Sequence, residues 1–207
     1  MQPFPRDVGW IEVICGSMFS GKTQELIRRI RLASIARQKV QVFKPALDDR
    51  FSSDHIVSHD QTRAPSVAIA SAQQILEQVK SSTRVVGIDE AQFFGEDLVA
   101  VCQELADRGI RVIVAGLDQD YRGRPFDPMP HLLAVAEYIT KNLAICMVCG
   151  NPANRSQRTG AGQNRIEVGA GDKYEARCRR CFHLEEGARE PAPAEAHEQP
   201  NRQSAEV

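Results

Sequence analysis

The chain has 207 residues, of which 42% are hydrophobic and 26% are charged, and its formal net charge is −1. This length accommodates one domain with a sizeable core, or one domain with a small appendage. Acidic and basic residues are interspersed, and the apolar runs are only as long as strands. These features disfavour a nucleic-acid polymer or a membrane as a partner, and we expect a cytoplasmic protein.

Short β-branched runs alternate with longer helical patterns from residue 9 to residue 144, which is typical of a parallel sheet covered by helices. The pattern predicts strands over 11–15, 40–44, 84–89, 111–116 and 138–143. It predicts helices over 22–37, 71–79, 96–108 and 129–136, with Gly109 capping the third helix. Residues 45–65 form a long connection of the kind that often serves as a lid or binding segment.

A phosphate-binding pattern, G-x-x-x-x-G-K-[ST], follows the first predicted strand directly. Its residues are Gly16, Ser17, Met18, Phe19, Ser20, Gly21, Lys22 and Thr23. Backbone N–H groups of such a loop face an anion, the lysine supplies positive charge to the β- and γ-phosphates, and the Thr23 hydroxyl can bind Mg²⁺. Strand, loop and helix occur in the order that the pattern requires, which disfavours a chance match. We therefore predict an α/β fold of the P-loop NTPase type over residues 9–144.

Two acids, Asp89 and Glu90, end the third predicted strand. This is the arrangement of a Walker-B strand, which brings a carboxylate to the nucleotide site at the carboxyl edge of the sheet. We expect Asp89 to bind Mg²⁺ or its water, and Glu90 to accept a proton from the attacking hydroxyl or water. The alternative, a solvated acidic turn, is disfavoured by the nearby phosphate loop.

Four of the six cysteines form two C-x-x-C pairs, Cys146 with Cys149 and Cys178 with Cys181. Because no export signal precedes them, a metal site is favoured over disulfides, and each pair can offer two thiolates to one tetrahedral structural Zn²⁺. A redox dithiol and plain buried cysteines are the alternatives. We predict a small zinc-binding domain over residues 145–184, and we expect Cys15 and Cys102 to lie in the core.

The composition changes after residue 184, where Ala, Pro, Glu, Gln and Ser dominate and apolar anchors are almost absent. Such a segment cannot bury enough surface to offset its ordering entropy. We expect residues 185–207 to form a disordered tail.

Several separated motifs resemble those of the cytosolic (type II) thymidine kinases from about Trp10 to Phe182. Besides the phosphate loop and the cysteines, they span 48–53, 58–60, 88–94, 116–118, Tyr121, 124–126 and 171–175. The resemblance implies transfer of the ATP γ-phosphoryl group to the 5′-hydroxyl of thymidine or deoxyuridine, giving dTMP from thymidine in pyrimidine salvage for DNA synthesis. It also implies Glu90 as catalytic base and Thr23 with Asp89 as the magnesium site.

The resemblance further assigns residues to the two substrates. Arg50 matches an arginine near the transferring phosphate, and the ATP-binding residues extend from the loop to Asp89, Glu90, Ala91 and Gln92. The substrate-binding positions are Met18, Asp48, Phe93, Leu117, Tyr121, Phe126, Ser156, Ile166, Glu167, Val168, Gly169 and Tyr174.

In the family a long loop, the lasso, holds the pyrimidine through backbone groups. Its ends are anchored on the zinc knuckles, and Tyr174 closes the pocket. Ser156 stands where many relatives have threonine facing the 5-methyl group, and His183 is expected to be a bystander of the zinc site. The resemblance also implies a homotetramer and feedback inhibition by dTTP. A kinase of another hydroxyl and a zinc-ribbon adaptor switched by ATP are the rival interpretations.

Overall fold

The computed structural model describes residues 8–46, 55–57, 63–159 and 173–183. The predictions for Asp48, Arg50, Ile166 to Gly169 and the tail therefore concern residues outside the described ranges. Within those ranges, no helix has both the length and the apolar character needed to cross a membrane.

Twelve strands and four α-helices make up the described part of the chain. The strands are β1 (Trp10–Gly16), β2 (Val40–Pro45), β3 (His55–Val57), β4 (Arg63–Pro65), β5 (Val67–Ile69), β6 (Val85–Ile88), β7 (Arg111–Gly116), β8 (Tyr138–Asn142), β9 (Ala144–Ile145), β10 (Pro152–Ala153), β11 (Arg155–Arg158) and β12 (Tyr174–Arg177). The helices are α1 (Lys22–Ile35), α2 (Gln73–Gln78), α3 (Asp97–Asp107) and α4 (Met129–Val135), with a 3₁₀ turn at Ala91–Phe93.

A six-stranded sheet in the order β5-β2-β6-β7-β1-β8 forms the centre of the fold. Every pairing in it is parallel. The predicted α/β class is thus confirmed. The five predicted strands and four predicted helices are present with ends shifted by at most two residues, and Gly109 has the positive φ of 79° expected after a helix.

The segment predicted as a long connection also contains regular structure. It carries the antiparallel pair β3 and β4, and β5 follows as an additional edge strand of the main sheet. Each of these strands has three residues, which is too short for a hydrophobic period to become visible in the sequence.

Both faces of the sheet are covered, which explains why every residue of β1 is buried. Val13 and Cys15 pack with α3 and α4, whereas Ile14 packs with Leu26 and Ile30 of α1 on the opposite face. Cys102 of α3 is also fully buried, as expected. Because β6, β7 and β1 are parallel neighbours, the residues that follow them meet at one edge of the sheet.

A smaller unit, here called the cysteine module, comprises strands β9 to β12 and the four clustered cysteines. Strands β9 and β10 pair antiparallel, as do β11 and β12. Its small core contains Ala144, Ala153 and Ala176, and Phe19 of the phosphate loop packs against that core. The phosphate loop therefore lies between the main sheet and the cysteine module.

Candidate active site

The phosphate loop has the backbone conformation that its glycines permit. Gly16 and Gly21 have φ angles of 146° and 78°, and a Cβ on Gly16 would lie 2.3 Å from the carbonyl oxygen of Asn142. Only glycine therefore fits where β1 enters the loop. Helix α1 begins at Lys22, and the Lys22 ammonium group donates to the carbonyl oxygen of Ser17 at 2.8 Å.

The structure brings Thr23 and Asp89 together beside this loop. The Thr23 hydroxyl donates to the two carboxylate oxygens of Asp89 at 3.0 and 3.2 Å, although 66 residues separate them in the chain. Burial and the neighbouring charge of Glu90 raise the pKa of Asp89 to about 7. A hydroxyl and a carboxylate in contact are the hard oxygen ligands that Mg²⁺ prefers, so this pair fits that ion.

The Lys22 ammonium group interacts electrostatically with three carboxylates. Burial lowers the pKa of Lys22, whereas the carboxylates of Glu90, Asp89 and Asp118 act in the opposite direction. Asp118 follows β7 and is buried, and one of its oxygens is 2.6 Å from the Lys141 ammonium group. The role of Asp118 is not evident from the sequence, because a single acid after a strand has no spacing pattern.

Glu90 occupies a left-handed backbone conformation, with φ 51° and ψ 44°, at the start of the 3₁₀ turn. A residue other than glycine in this region is strained by roughly 1–3 kcal/mol, and such strain concentrates at functional sites. Ala91 and Gln92 of the turn are buried. The Gln92 amide nitrogen donates to Glu90 Oε2 at 2.5 Å, and the Leu117 N–H donates to Gln92 Oε1 at 2.9 Å.

Two aromatic side chains of the predicted nucleoside pocket come from separate segments of the chain and contact each other. Phe93 and Phe126 make an edge-to-face contact, with ring centroids 6.5 Å apart. The Met18 N–H donates to the Ser156 hydroxyl at 3.0 Å, which ties the phosphate loop to β11. The described members of the predicted nucleoside pocket therefore come from five segments of the chain, and their contact with a nucleoside stays a prediction.

Arg158 is a residue of this region that the sequence analysis missed. Its guanidinium carbon lies 3.8 Å from the ring centroid of Tyr121, and its Nη2 donates to the Tyr174 hydroxyl at 2.9 Å. Arg158 is only 9% exposed. Strand periodicity offers a signal, because Arg158 follows Ser156 by two residues and so lies on the same face of β11.

The four paired cysteines converge as their spacing predicts. The sulfur atoms of Cys146, Cys149, Cys178 and Cys181 all lie within 4.8 Å of one another. Tetrahedral Zn²⁺ with Zn–S bonds of about 2.3 Å separates its sulfur ligands by about 3.8 Å, so the cluster fits that ion. All four are free thiols, and His183 is not part of the cluster.

The thiols of the cluster differ in acidity. Burial opposes ionisation of Cys146, but backbone hydrogen bonds at Cys178, Val148 and Cys149 outweigh it and lower its pKa to about 6. Hydrogen bonds with Asn151 lower the pKa of Cys149 as well. A metal ligand must be a thiolate, so these bonds favour the binding form of Cys146 and Cys149, whereas the hydrogen bond with Cys149 raises the pKa of Cys181 to about 12.

Comparison with known proteins agrees with this geometry. A family model described as thymidine kinase matches residues 9–182. The thymidine kinase of Rhodothermus sp. is 63% identical over 175 residues, covering 84% of this chain and 82% of the relative. The thymidine kinase of Bdellovibrio bacteriovorus is 56% identical over 177 residues, which cover 86% of this chain and 87% of the relative.

A solved structure, the ATPase DotB of Legionella pneumophila, aligns with a TM-score of 0.41 and 16% identity. The alignment covers 72% of this chain and 44% of the DotB chain. This similarity is too weak to bear on function. The family match, in contrast, spans the phosphate loop, the acids after β6 and the cysteine cluster. The chain belongs to the thymidine kinase family.

Proposed function

We propose that this protein transfers the γ-phosphoryl group of ATP to the 5′-hydroxyl of thymidine or deoxyuridine, yielding dTMP from thymidine for DNA synthesis. Family membership supports the phosphorylation of thymidine. The observation that carries the mechanism is the meeting of Lys22, Thr23, Asp89 and Glu90 at one edge of the sheet. These are the cation, magnesium ligands and base that phosphoryl transfer uses.

In this proposal the phosphate loop and Lys22 hold the β- and γ-phosphates of ATP. Thr23 and Asp89 would hold the Mg²⁺ ion, which would supply neutralising charge to the phosphates. Arg50 faces the transferring phosphoryl group, where a planar guanidinium stabilises the equatorial oxygens. Ala91 and the rest of the 89–92 segment complete the ATP site.

Glu90 accepts the proton of the 5′-hydroxyl as that oxygen attacks phosphorus. A positioned general base contributes roughly 10²–10⁴-fold to a rate. The position of Glu90 supports this role, since it follows Asp89 directly and its carboxylate acts on Lys22. The strained backbone of Glu90 is consistent with a side chain held in place for chemistry.

The nucleoside lies between the aromatic walls and the cysteine module. Met18, Phe93, Leu117, Tyr121 and Phe126 supply the walls, Asp48 contacts the sugar, and Tyr174 closes the pocket. Backbone groups of Ile166, Glu167, Val168 and Gly169 read the C4 carbonyl and the N3–H of the base. Deoxycytidine presents the opposite donor and acceptor, so it leaves buried groups unpaired at about 1–3 kcal/mol each and is rejected.

The cysteine cluster binds one structural Zn²⁺, which fixes the ends of the lasso. We also propose a cytoplasmic homotetramer inhibited by dTTP, as the family resemblance implies. Assembly is supported by β8, an edge strand of the described sheet on which Tyr138 and Ile139 are 39% and 54% exposed. Apolar side chains beside an open strand edge favour pairing with another subunit.

A coupled assay of ADP formation tests the proposal. The assay contains Mg-ATP with thymidine, deoxyuridine, deoxycytidine or deoxyguanosine, and we expect turnover with the first two alone. Glu90→Gln should bind both substrates but turn over roughly 10²–10⁴-fold more slowly. Glu96→Gln, an exposed acid six positions on, is the matched control and should retain full activity. Thymidine binding without ADP formation by the unaltered protein would contradict the proposed activity.

A further inference from the structure

We propose that Gln92 is a positioning residue that orients the carboxylate of Glu90 for proton abstraction. This inference rests on the proposed function, because it takes Glu90 as the base. Gln92 would thus orient Glu90 in addition to making the nucleotide contact that the family resemblance implies.

The orientation of the Gln92 amide follows from its partners. A backbone N–H can only donate, so the atom that the Leu117 N–H contacts at 2.9 Å must be the amide oxygen. The amide nitrogen then faces Glu90 Oε2 at 2.5 Å, and there it can only donate. The end of β7 thus dictates which group Gln92 offers to the carboxylate.

The amide has little room to move. Gln92 is 3% exposed, and Gly116, the last residue of β7, lies so close that a Cβ there would be 3.0 Å from Gln92 Oε1. The same Cβ would be 2.6 Å from the sulfur of Met129, a fully buried residue. The missing side chain of Gly116 therefore allows the glutamine to approach the β7 backbone.

A carboxylate can rotate about its terminal bond, whereas a base must present a lone pair to one hydroxyl. Fixing Oε2 against a buried, immobile amide fixes the direction in which Oε1 projects. The backbone of Glu90 is held too, because the Phe93 N–H donates to the Glu90 carbonyl at 3.0 Å. Since a displacement of about 1 Å can reduce a rate 10²-fold, loss of the amide should reduce kcat by roughly 10–100-fold.

Gln92→Met tests this, since it keeps the length of the side chain but removes both hydrogen bonds. We expect kcat to fall roughly 10–100-fold while KM for thymidine changes by less than about twofold, and a rise in KM for ATP would report only the loss of the nucleotide contact. Gln41→Met is the matched control, because the Gln41 amide also holds a backbone N–H, that of Lys80, far from the site. It should lose stability but keep kcat. If Gln92→Met does not fold, Gln92→Glu retains the acceptor for Leu117 and puts a second carboxyl group in place of the donor to Glu90, so kcat should fall and its pH profile should shift to higher pH through like-charge repulsion.

A double-mutant cycle with Glu90→Gln provides the decisive comparison. A residue that acts through Glu90 has no further effect on kcat once Glu90 is an amide, so the double variant should match Glu90→Gln. An equal loss of kcat in both backgrounds, or a raised KM for ATP with unchanged kcat, would overturn the positioning role. Wild-type turnover by Gln92→Met with a slow Glu90→Gln would overturn this inference alone, whereas wild-type turnover by Glu90→Gln would overturn the proposed base as well.

Discussion

The backbone N–H of Met18 donates to the hydroxyl of Ser156 at 3.0 Å, so a strand of the cysteine module holds the phosphate loop directly. The Ser17 hydroxyl reinforces the connection by donating to the Ala153 carbonyl at 3.4 Å. The proposed donor cradle and nucleoside pocket therefore share a boundary. A substitution on either side of this boundary should therefore affect both the donor cradle and the nucleoside pocket.

Ser156→Ala should weaken this boundary. Loss of the acceptor leaves the Met18 N–H without its partner, which costs about 1–3 kcal/mol where the group is buried. We expect a lower free energy of unfolding and a raised KM for thymidine, measured by urea denaturation and steady-state kinetics. Ser156→Thr is the matched variant because it keeps the hydroxyl. It should keep the stability and mainly reduce the tolerance for bulk at C5 of the base, and equal effects of the two variants would contradict the role of the hydrogen bond.

Cys178→Ser should disrupt the cysteine cluster. We expect the unaltered chain to bind one Zn²⁺, and the variant to lose more affinity for thymidine than for ATP, because the phosphate loop follows β1 of the main sheet and touches the cysteine module only at its boundary. Metal analysis and calorimetric titration with each substrate measure these effects. Cys102→Ala, which removes a buried thiol outside the cluster, should retain the metal. Full activity of a zinc-free protein would refute the prediction.

Arg158→Lys should raise KM for thymidine several-fold. A lysine keeps the charge but loses the planar group that stacks on Tyr121 and donates to Tyr174. Because neither tyrosine belongs to the phosphate loop, kcat and KM for ATP should change by less than about twofold. Arg177→Lys on β12, where the arginine pairs with Glu175, serves as the control. An unchanged KM for thymidine would show that the stacked guanidinium has no part in nucleoside binding.

Glu12→Gln should destabilise the sheet without touching the site. Glu12 is 4% exposed on β1 and accepts hydrogen bonds from Arg111 at 2.6 Å, Trp10 at 2.7 Å and Arg29 at 2.8 Å. Removing the charge takes the buried carboxylate away from Arg111 and leaves Arg29 with Glu25 as its remaining carboxylate partner, which costs at most about 3–5 kcal/mol. Glu104→Gln breaks an exposed pair with Arg108 and should cost at most about 0.5 kcal/mol. Urea denaturation at pH 7 compares the two variants.

The effect of Glu12→Gln should depend on pH. Burial opposes ionisation of Glu12, but hydrogen bonds from Arg111 and Trp10 and the charges of Arg111 and Arg29 outweigh it, so its pKa lies below the ordinary 4.5. The stabilisation is therefore complete above pH 4.5 and is lost as the pH falls through the lowered pKa of the folded protein. The difference in stability between wild type and Glu12→Gln should shrink below that pH. A constant difference down to pH 3 would contradict it.

The parallel α/β fold, the phosphate loop and the pairs of cysteines can all be predicted from the amino-acid sequence. Each of these follows from short-range rules: hydrophobic periods set helices and strands, a glycine pattern sets the loop, and C-x-x-C spacing presents two sulfurs together. Asp89 and Glu90 also follow from a short-range rule, because they come at the end of an apolar strand. Strands β3, β4 and β5 are not predicted from the sequence, because a strand of three residues is too short to show a hydrophobic period.

The contacts between side chains of distant segments become visible in the folded chain alone. Gln92 and Leu117 are 25 residues apart, and their hydrogen bond exists because β6 and β7 are neighbours in the sheet. Arg158 lies between Tyr121 and Tyr174 because β11 pairs with β12 and packs towards the loop after β7. Such contacts depend on the packing of whole elements, which local propensity and spacing do not encode.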